Sequence, residues 1–449
     1  MTLTLDAIRG CFEGVIPAQV ATCAPDGTPN VTYVSQVHYV DAGHVALTYQ
    51  FFNKTRENIL VNPRACVLVN VPETAARYRI RAHYLRTETA GPVFESMKAK
   101  LAAIASHTGM TGVFRLLGSD IYRVEDIEHV PGPELPPPPP RYRLSGLRAC
   151  SERLAACTEL GALLDETLAA LEQLLGVEHL MVLMFDPVAH ALYTVASRGY
   201  EASGVGAEIP LGYGVIGVAA AQRTPIRIGH MTEEYSYGRA VREAVRSGDL
   251  AALLHQEIPL PGLPASRSQL AVPIASGDEL LGTLYAESAE ERRFDYQDED
   301  ALMTLVPHLA SLMARLRESA EAAGESPRAG RRAARVTGAP LVIRRYPGND
   351  SVFLGDDYLI KGVAGAIFWK LASDYVRAGR TEFSNRELRV DPSIRLPEVS
   401  ENLEARLILL ERRLRERSPD VGIEKTGRGR FRLVVRRPLR LEELAEPGS

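Results

Sequence analysis

The stretch HVALTYQFFNKTRENILVNPRACVLV, residues 44–69, decides what the first part of this chain can be. An apolar run ends at two aromatic residues, a short helical stretch follows, and Asn-Pro then leads into a second apolar run. Lys54, Thr55 and Arg56 stand together where the helix begins. A helix N-terminus offers free N–H groups and the positive end of its dipole, so these side chains would complete a phosphate cradle. The alternative is a solvated turn capped by Asn53.

The composition of the whole chain is that of a globular protein with several domains. Its 449 residues are 45% hydrophobic, which is enough for about two to four cores. Five cysteines without regular spacing favour a reducing compartment and provide no metal-binding pattern. The N-terminus lacks the features of a signal peptide, and no run reaches the about 18 apolar residues of a membrane span. We therefore expect a cytoplasmic protein with no metal site and no membrane contact.

Two segments of biased composition divide the chain into three blocks. Residues 134–143 contain five consecutive prolines and predict a polyproline II spacer. Residues 319–340 are small, polar and basic, and predict a flexible linker. The predicted domains are therefore residues 1–133, 144–318 and 341–440.

The first block predicts a meander of antiparallel strands with one helix and a closing strand. APDGTPNV, HVALTY, NKTRENILVNPRACVLV, GPVFESM and DIYRVEDIEHV occur in an order that resembles the pyridoxamine 5′-phosphate oxidase-like, FMN-binding split barrel. In that family the strand-to-helix junction before Asn-Pro binds the FMN phosphate. The resemblance therefore implies an FMN site, and its expected residues are Ser35, Gln36, Tyr49, Gln50, Phe51, Asn53, Lys54, Thr55 and Arg56.

One part of that family pattern is missing. The true oxidases end in a segment with arginine and tryptophan that helps to bind pyridoxamine phosphate. The corresponding RYRLSG, residues 141–146, has no tryptophan, and the only tryptophan of the chain is Trp369. This departure puts vitamin B6 chemistry in doubt even where FMN binds, and no catalytic residue can be named.

The second block predicts an opening helix over residues 151–176, a sheet, a short helix near Gly214, a hairpin and a closing helix. GYGVIGVAA, QLAVPI, LLGTLYAES and FDYQDEDAL resemble a GAF domain across nearly all of residues 150–317. GAF domains bind cyclic nucleotides, haem, bilins, flavins or nothing, so a small-molecule ligand is expected but not named. His230 and His255 lie in an insert that would wall a pocket, and lone histidines in a polar loop are ordinarily surface residues.

A leucine stripe marks the closing helix of this block. Its spacing of three, four, three and four predicts either a helix packed on its own sheet or a dimer seam. GAF domains commonly dimerise through their opening and closing helices, so a homodimer is expected. The leucines are Leu302, Leu305, Leu309, Leu312 and Leu316.

The third block is basic. Residues 339–440 hold 21 Lys and Arg against 14 Asp and Glu, a local charge of +7 in a chain of net charge −4. Two short strands, three helices and the hairpin GIEKTGRGRFRLVV resemble the winged helix-turn-helix domain of response-regulator-type transcription factors. A basic domain with this resemblance implies binding to double-stranded DNA.

The third predicted helix and the hairpin supply the expected DNA contacts. Arginines there would neutralise phosphates, and two residues beside the outer helix face would read bases. The face itself holds Ala405 and Ile408, whose side chains cannot form hydrogen bonds with base edges. This face could instead bind a protein. The expected DNA-binding residues are Asn402, Arg406, Arg412, Arg413, Lys425, Arg428, Arg430 and Arg432.

Together these blocks predict a multidomain α+β chain with an antiparallel split β-barrel, a GAF α/β sheet domain and a winged helix. Two ligand-binding modules and a basic output module are the layout of a one-component sensor that couples a flavin, redox or small-molecule signal to DNA binding. Two alternatives remain open. One is an FMN-dependent oxidoreductase with regulatory domains, and the other is a scaffold whose winged helix binds protein.

Overall fold

The computed structural model describes eight segments of the chain, which form three units. The N-terminal unit covers residues 3–137, the central unit 143–322 and the C-terminal unit 336–444. The described segments are 3–14, 16–50, 54–107, 116–137, 143–229, 258–322, 336–394 and 403–444. Phe51, Asn53, His230, His255 and Asn402, named above, lie outside them.

The N-terminal unit is built on a seven-stranded antiparallel sheet in the order β2-β1-β5-β6-β7-β4-β3. Alternation along the strands buries one set of side chains inside the curved sheet, among them Val20, Val45 and Tyr122. A 3-10 helix, Asp6–Phe12, precedes the sheet. The strands and helices are β1 Ala18–Cys23, β2 Pro29–Val34, β3 Val37–Asp41, β4 His44–Tyr49, α1 Lys54–Val61, β5 Arg64–Asn70, β6 Arg77–Glu88, α2 Pro92–His107 and β7 Gly118–Val130.

The central unit is a six-stranded sheet, β10-β9-β8-β13-β12-β11, with helices on both faces. Leu180 and Val182 point toward α3, α4 and α6, while Met181 and Leu183 point toward α5, because neighbouring side chains of a strand face opposite sides. Its elements are α3 Arg143–Ala155, α4 Leu160–Leu175, β8 His179–Asp186, β9 Ala191–Arg198, β10 Glu208–Pro210, α5 Gly214–Gln222, β11 Ile226–Ile228, β12 Ser268–Ser276, β13 Glu279–Ser288 and α6 Tyr296–Ala322.

The prediction of one opening helix over residues 151–176 is wrong. The structure has two helices, because Glu159 adopts an extended backbone conformation before α4 begins at Leu160. The chain therefore folds back, and Leu154 of α3 shares a core with Leu164 of α4.

The leucine stripe of α6 lies inside the chain rather than on a free surface. All five leucines are buried, and they belong to the same core as the leucines of α4. The structure thus agrees with the alternative of a helix packed on its own domain, and the stripe gives no support to a dimer seam. The homodimer remains a prediction, but the leucine stripe no longer supports it.

The C-terminal unit joins two small sheets to three helices. One sheet has the order β16-β15-β14-β20, with β14 and β20 parallel, and the other has the order β17-β19-β18. Its elements are β14 Leu341–Tyr346, β15 Ser351–Leu354, β16 Asp357–Ile360, α7 Gly362–Ala378, β17 Glu382–Ser384, α8 Asn385–Val390, α9 Leu403–Arg417, β18 Val421–Gly427, β19 Arg430–Val435 and β20 Leu439–Glu443. The predicted helices and basic hairpin are present in the predicted order.

The central unit contacts both of its neighbours. Arg227 of β11 is buried and pairs with Glu13 of the N-terminal unit and, at 2.8 Å, with Glu299 of α6. On the other side α9 packs against α4 and β9, and one core runs through the central and C-terminal units. No helix in the described part of the chain is long and apolar enough to cross a membrane.

Candidate functional site

The end of β4 and the start of α1 bring together several of the residues expected to bind FMN. The Gln50 side-chain amide donates to the Ser35 hydroxyl at 2.9 Å. Thr55, in the first turn of α1, accepts a hydrogen bond from Asn30 at 2.8 Å. Because a hydroxyl carries one donor and two acceptor positions, Thr55 can still donate to a ligand.

Arg56 does not take the place that was expected for it. Its guanidinium pairs with Asp120 at 2.6 Å, donates to Thr87 at 2.7 Å and stacks on the ring of Tyr49 at 4.5 Å. Burial raises the pKa of Asp120, although Thr87 and Arg56 oppose the shift. The charge of Arg56 is therefore balanced inside the protein, and its role is to hold the Tyr49 ring rather than to supply a free cation.

Lys54 is the cation that remains at the surface of this region. Its side chain is 56% exposed, and its ion pair with Glu57, at 3.4 Å, lies within one turn of α1. An exposed pair of this kind contributes little, so a phosphate can replace the carboxylate at small cost. The phosphate-binding part of the expected cradle is thus reduced to Lys54, Thr55 and the N-terminus of α1.

Two glutamines of this site have buried amide atoms that find no partner in the part of the chain that the structure describes. Gln36 is only 1% exposed, yet neither of its amide atoms has a hydrogen-bond partner among the described residues. The amide oxygen of Gln50 is also without a described partner. Buried polar groups are nearly always hydrogen-bonded, and unpaired ones cost about 1–3 kcal/mol. A planar heteroaromatic ligand with both donors and acceptors, such as a flavin ring, would satisfy such amides.

The C-terminal residues expected to contact DNA have different surroundings: some pair with the central unit, and others are exposed. Arg406 and Arg412 are turned toward the central unit, where Arg406 pairs with Asp186 at 2.5 Å and Arg412 with Asp165 at 2.8 Å. Lys425 pairs with Glu404 at 2.9 Å and with Glu159 of the central unit at 3.3 Å. In the hairpin, by contrast, Arg428 and Arg432 are exposed, and Arg430 is partly buried.

The structure corrects the expectation that Arg413 contacts DNA. It is buried inside the C-terminal unit, where its guanidinium donates to the Leu359 carbonyl at 3.0 Å and pairs with Glu416 at 3.2 Å. Burial lowers the pKa of this guanidinium. Helical periodicity explains the placement, because Arg413 lies beside the core residues Leu410 and Leu414.

Sequence reasoning missed the acidic partners. Asp120 balances Arg56 in the N-terminal unit, and Asp186 and Asp165 balance Arg406 and Arg412. Asp120 lies near the start of the closing strand β7, which carries several other charged residues, so its sequence position did not single it out. No pattern marks Asp165, which is an ordinary polar position of α4 facing outward from the core.

Family models match two of the three units. The model described as pyridoxamine 5′-phosphate oxidase matches residues 4–123, and the GAF domain model matches residues 159–313. The chain thus has an N-terminal domain of pyridoxamine 5′-phosphate oxidase type and a central GAF domain, which confirms those two predictions. The winged helix stays a prediction. No curated protein matches the chain.

Solved structures resemble the same two domains. The GAF domain of an Acinetobacter phosphoenolpyruvate-protein phosphotransferase is 19% identical, with 42% of this chain and 99% of that chain covered and a TM-score of 0.31. Free methionine-R-sulfoxide reductase from Neisseria meningitidis is 22% identical, with coverages of 39% and 90% and a TM-score of 0.31. An FMN-binding protein from Syntrophomonas wolfei is 14% identical, with coverages of 26% and 80% and a TM-score of 0.23. At these TM-scores the similarities carry no inference about activity.

Proposed function

We propose that this chain is a one-component sensor in which the N-terminal domain binds FMN and the C-terminal unit is a winged helix that binds double-stranded DNA. The observation that carries the proposal is the polar group at the end of β4, where buried amide atoms have no partner among the described residues and lie beside an exposed cation. A domain of pyridoxamine 5′-phosphate oxidase type places a flavin at this junction in the family that it resembles.

Each residue of the site has a distinct part in holding the cofactor. Gln36 and Gln50 offer amide donors and acceptors to the edge of a flavin ring. Tyr49 offers an aromatic face, which Arg56 fixes from the other side. Lys54 and Thr55 offer a charge and a hydroxyl to the phosphate, and the dipole of α1 favours the same anion. When bound, FMN supplies reversible electron transfer, which makes the domain sensitive to redox state.

The proposed DNA-binding role is supported by the C-terminal unit itself. Strands β14, β15 and β16 precede the order α7, β17, α8, α9 and the hairpin β18–β19, which is the order of the winged-helix resemblance, and β20 follows and joins the first three strands in one sheet. The hairpin turns through Gly429 at φ +62°, a backbone conformation that glycine adopts readily, and the Gly429 carbonyl accepts a hydrogen bond from the Asn385 N–H at 2.9 Å. Arg428 and Arg432 are exposed on this hairpin and carry the charge that phosphates require.

A single substitution tests the flavin part. Lys54→Ala removes one charge-assisted contact to the phosphate, worth about 1.5–3 kcal/mol, so the Kd for FMN should rise about tenfold or more. Flavin absorbance and fluorescence titration of the full-length protein measure it directly.

The matched control is Lys98→Ala. Lys98 is 59% exposed and pairs with Glu95 at 3.3 Å, also within one turn of a helix, so the two lysines have nearly the same surroundings. FMN affinity should not change in this variant. A wild type that does not bind FMN, or equal affinities for Lys54→Ala and wild type, would remove the flavin site from this junction.

A further inference from the structure

The first half of helix α9 is buried on every side in this structure. All eight residues from 403 to 410 are buried, including Glu404 and Arg406. Leu403, Leu407 and Leu410 face the core of the C-terminal unit, as their spacing requires. The residues between them are buried by a second surface that packs against α9, and this surface belongs to the central unit. We call it the cover of α9.

The apolar part of this cover lies on the face that sequence reasoning offered to DNA bases or to a protein. Ala405, Ile408 and Leu409 are all buried. A methyl group placed on Gly161 of α4 would lie 3.7 Å from Cδ1 of Ile408. The partner of this face is therefore the GAF domain of the same chain.

The polar part of the cover is a set of matched charges. Four cations of the C-terminal unit each meet a carboxylate of the central unit, at distances of 2.5 to 3.3 Å. Three of the four were predicted from the sequence to contact DNA. The pairs are Arg406–Asp186, Arg412–Asp165, Lys425–Glu159 and Lys361–Glu208.

Both arginines among these four cations make several contacts with the central unit. Arg412 donates to the Val195 carbonyl at 2.8 Å as well as to Asp165. Arg406 stacks on the ring of Tyr193, with its guanidinium carbon 4.1 Å from the ring centre, while it pairs with Asp186. A guanidinium in such a setting cannot contact a DNA phosphate at the same time.

We infer that the structure is an autoinhibited state, in which the acidic face of the GAF domain occupies the DNA-binding face of α9 and must release it before DNA can bind. This inference rests on the proposed DNA-binding function of the C-terminal unit. Asp165, Asp186, Glu159 and Glu208 form the acidic face, and they neutralise the cations that phosphates would otherwise neutralise. Because only the released fraction binds, apparent DNA affinity is reduced by the fraction of molecules in the closed state.

The test weakens the acidic face without disturbing the fold. In full-length protein, Asp165→Asn and Asp186→Asn together remove two charges, and asparagine at 186 can still accept the turn hydrogen bonds from Val188 and Ala189, at 2.9 and 3.0 Å. Affinity for a mixed-sequence duplex should rise about tenfold over wild type at fixed salt. Thermal melts establish that the variant is folded.

The matched control is Asp278→Asn with Asp356→Asn. It changes the net charge equally at two fully exposed aspartates whose ion pairs stay within their own units. Its DNA affinity should equal that of wild type. An equal gain in this control would show that net charge alone is responsible, and it would overturn the inference.

The remaining outcomes separate the inference from the proposed function. If wild type and the Asp165/Asp186 variant bind DNA equally well, the autoinhibition is wrong and DNA binding stands. If neither binds, or if Arg428→Ala with Arg432→Ala leaves the affinity and salt dependence of the Asp165/Asp186 variant unchanged, the DNA-binding function itself is wrong.

A second measurement follows the release directly. Carbodiimide labelling read by mass spectrometry reports the accessibility of Asp186, whose side chain is only 16% exposed in the closed state. Adding duplex to wild-type protein should increase labelling at Asp186. Saturating DNA that leaves this labelling unchanged would show that α9 binds DNA without leaving the GAF domain, and would overturn the inference.

Discussion

The GAF domain has two interfaces within the chain, and they are built from different chemistry. Toward the N-terminal unit, Arg227 is 2% exposed, stacks on Tyr296 at 4.3 Å and joins Glu13 to Glu299. Lys100 also lies buried there, 3.5 Å from His38. Toward the C-terminal unit, Glu208, Glu159 and Asp165 are 38%, 48% and 69% exposed, and only Asp186, at 16%, is as buried as Glu13 and Glu299.

From this difference we expect a permanent junction between the N-terminal and central units, which stays closed, and an exchangeable interface between the central and C-terminal units, which can open. A charge buried on all sides cannot lose its partner without a large desolvation cost. An exposed carboxylate can be replaced by water, by salt or by a phosphate at a cost of about 1 kcal/mol or less. We therefore expect the N-terminal and central units to move as one body, while α9 can leave the GAF surface.

The largest expected effect is at the permanent junction. Arg227→Met leaves Glu13 and Glu299 without their buried counter-charge, so we expect a loss of about 3–5 kcal/mol of unfolding free energy. Denaturant unfolding followed by fluorescence measures this loss. Arg292→Met is the control, since Arg292 pairs with Glu73 across the same two units but is half-exposed. Similar losses in the two variants would contradict the distinction between the interfaces.

A smaller effect is expected from pH, through Lys100. Burial, followed by the charge of Arg227, lowers the pKa of Lys100 from 10.5 to about 8. Between these two pH values the unfolded chain holds a proton that the folded chain has lost. Unfolding free energy should therefore rise with pH across this window, by about 3 kcal/mol at most.

The variant Lys100→Met isolates this contribution. It should be more stable than wild type below about pH 8, and the rise between pH 8 and pH 10 should be reduced by the Lys100 contribution. Lys98→Met, at an exposed position of the same helix, should keep the wild-type rise. Denaturant unfolding at several pH values gives the comparison, and parallel curves for Lys100→Met and wild type would rule out the buried lysine as its source.

The smallest effect is expected at the exchangeable interface. Arg406→Met keeps the packing on Tyr193 and removes the pair with Asp186, which retains two backbone hydrogen bonds. Burial alone would raise the pKa of Asp186, but Arg406 and these N–H groups hold it below its usual value. We expect a loss of about 1–2 kcal/mol. A loss as large as that of Arg227→Met would make the two interfaces equivalent.

Most local structure was predictable from the sequence because it depends on short periodicities. The turn signals and alternating runs located strands β4, β5, β8 and β9, and the spacing of leucines located α6 and α9. The break between α3 and α4 was missed, because no proline marks it in the sequence. The leucine stripe of α6 was ambiguous, because a core helix and a dimer seam share one pattern.

The candidate sites were predictable only in part, for a related reason. The position of the proposed FMN junction followed from Lys54, Thr55 and Arg56, but the balance of Arg56 by Asp120 did not. The arginines of α9 were visible as a basic cluster, yet nothing in their spacing shows that Asp186 and Asp165 face them.

What the sequence by itself determined is the kind of each segment: a barrel with a polar strand-to-helix junction, a GAF domain, and a basic unit with helices and a hairpin. Only the tertiary structure decided which charge meets which. Arg227 pairs with Glu13 across 214 positions of the chain, and Arg406 pairs with Asp186 across 220. Helix and strand periodicities extend over a few residues, whereas an ion pair depends on how whole units pack, so the state of the proposed DNA-binding face is a property of the packed chain.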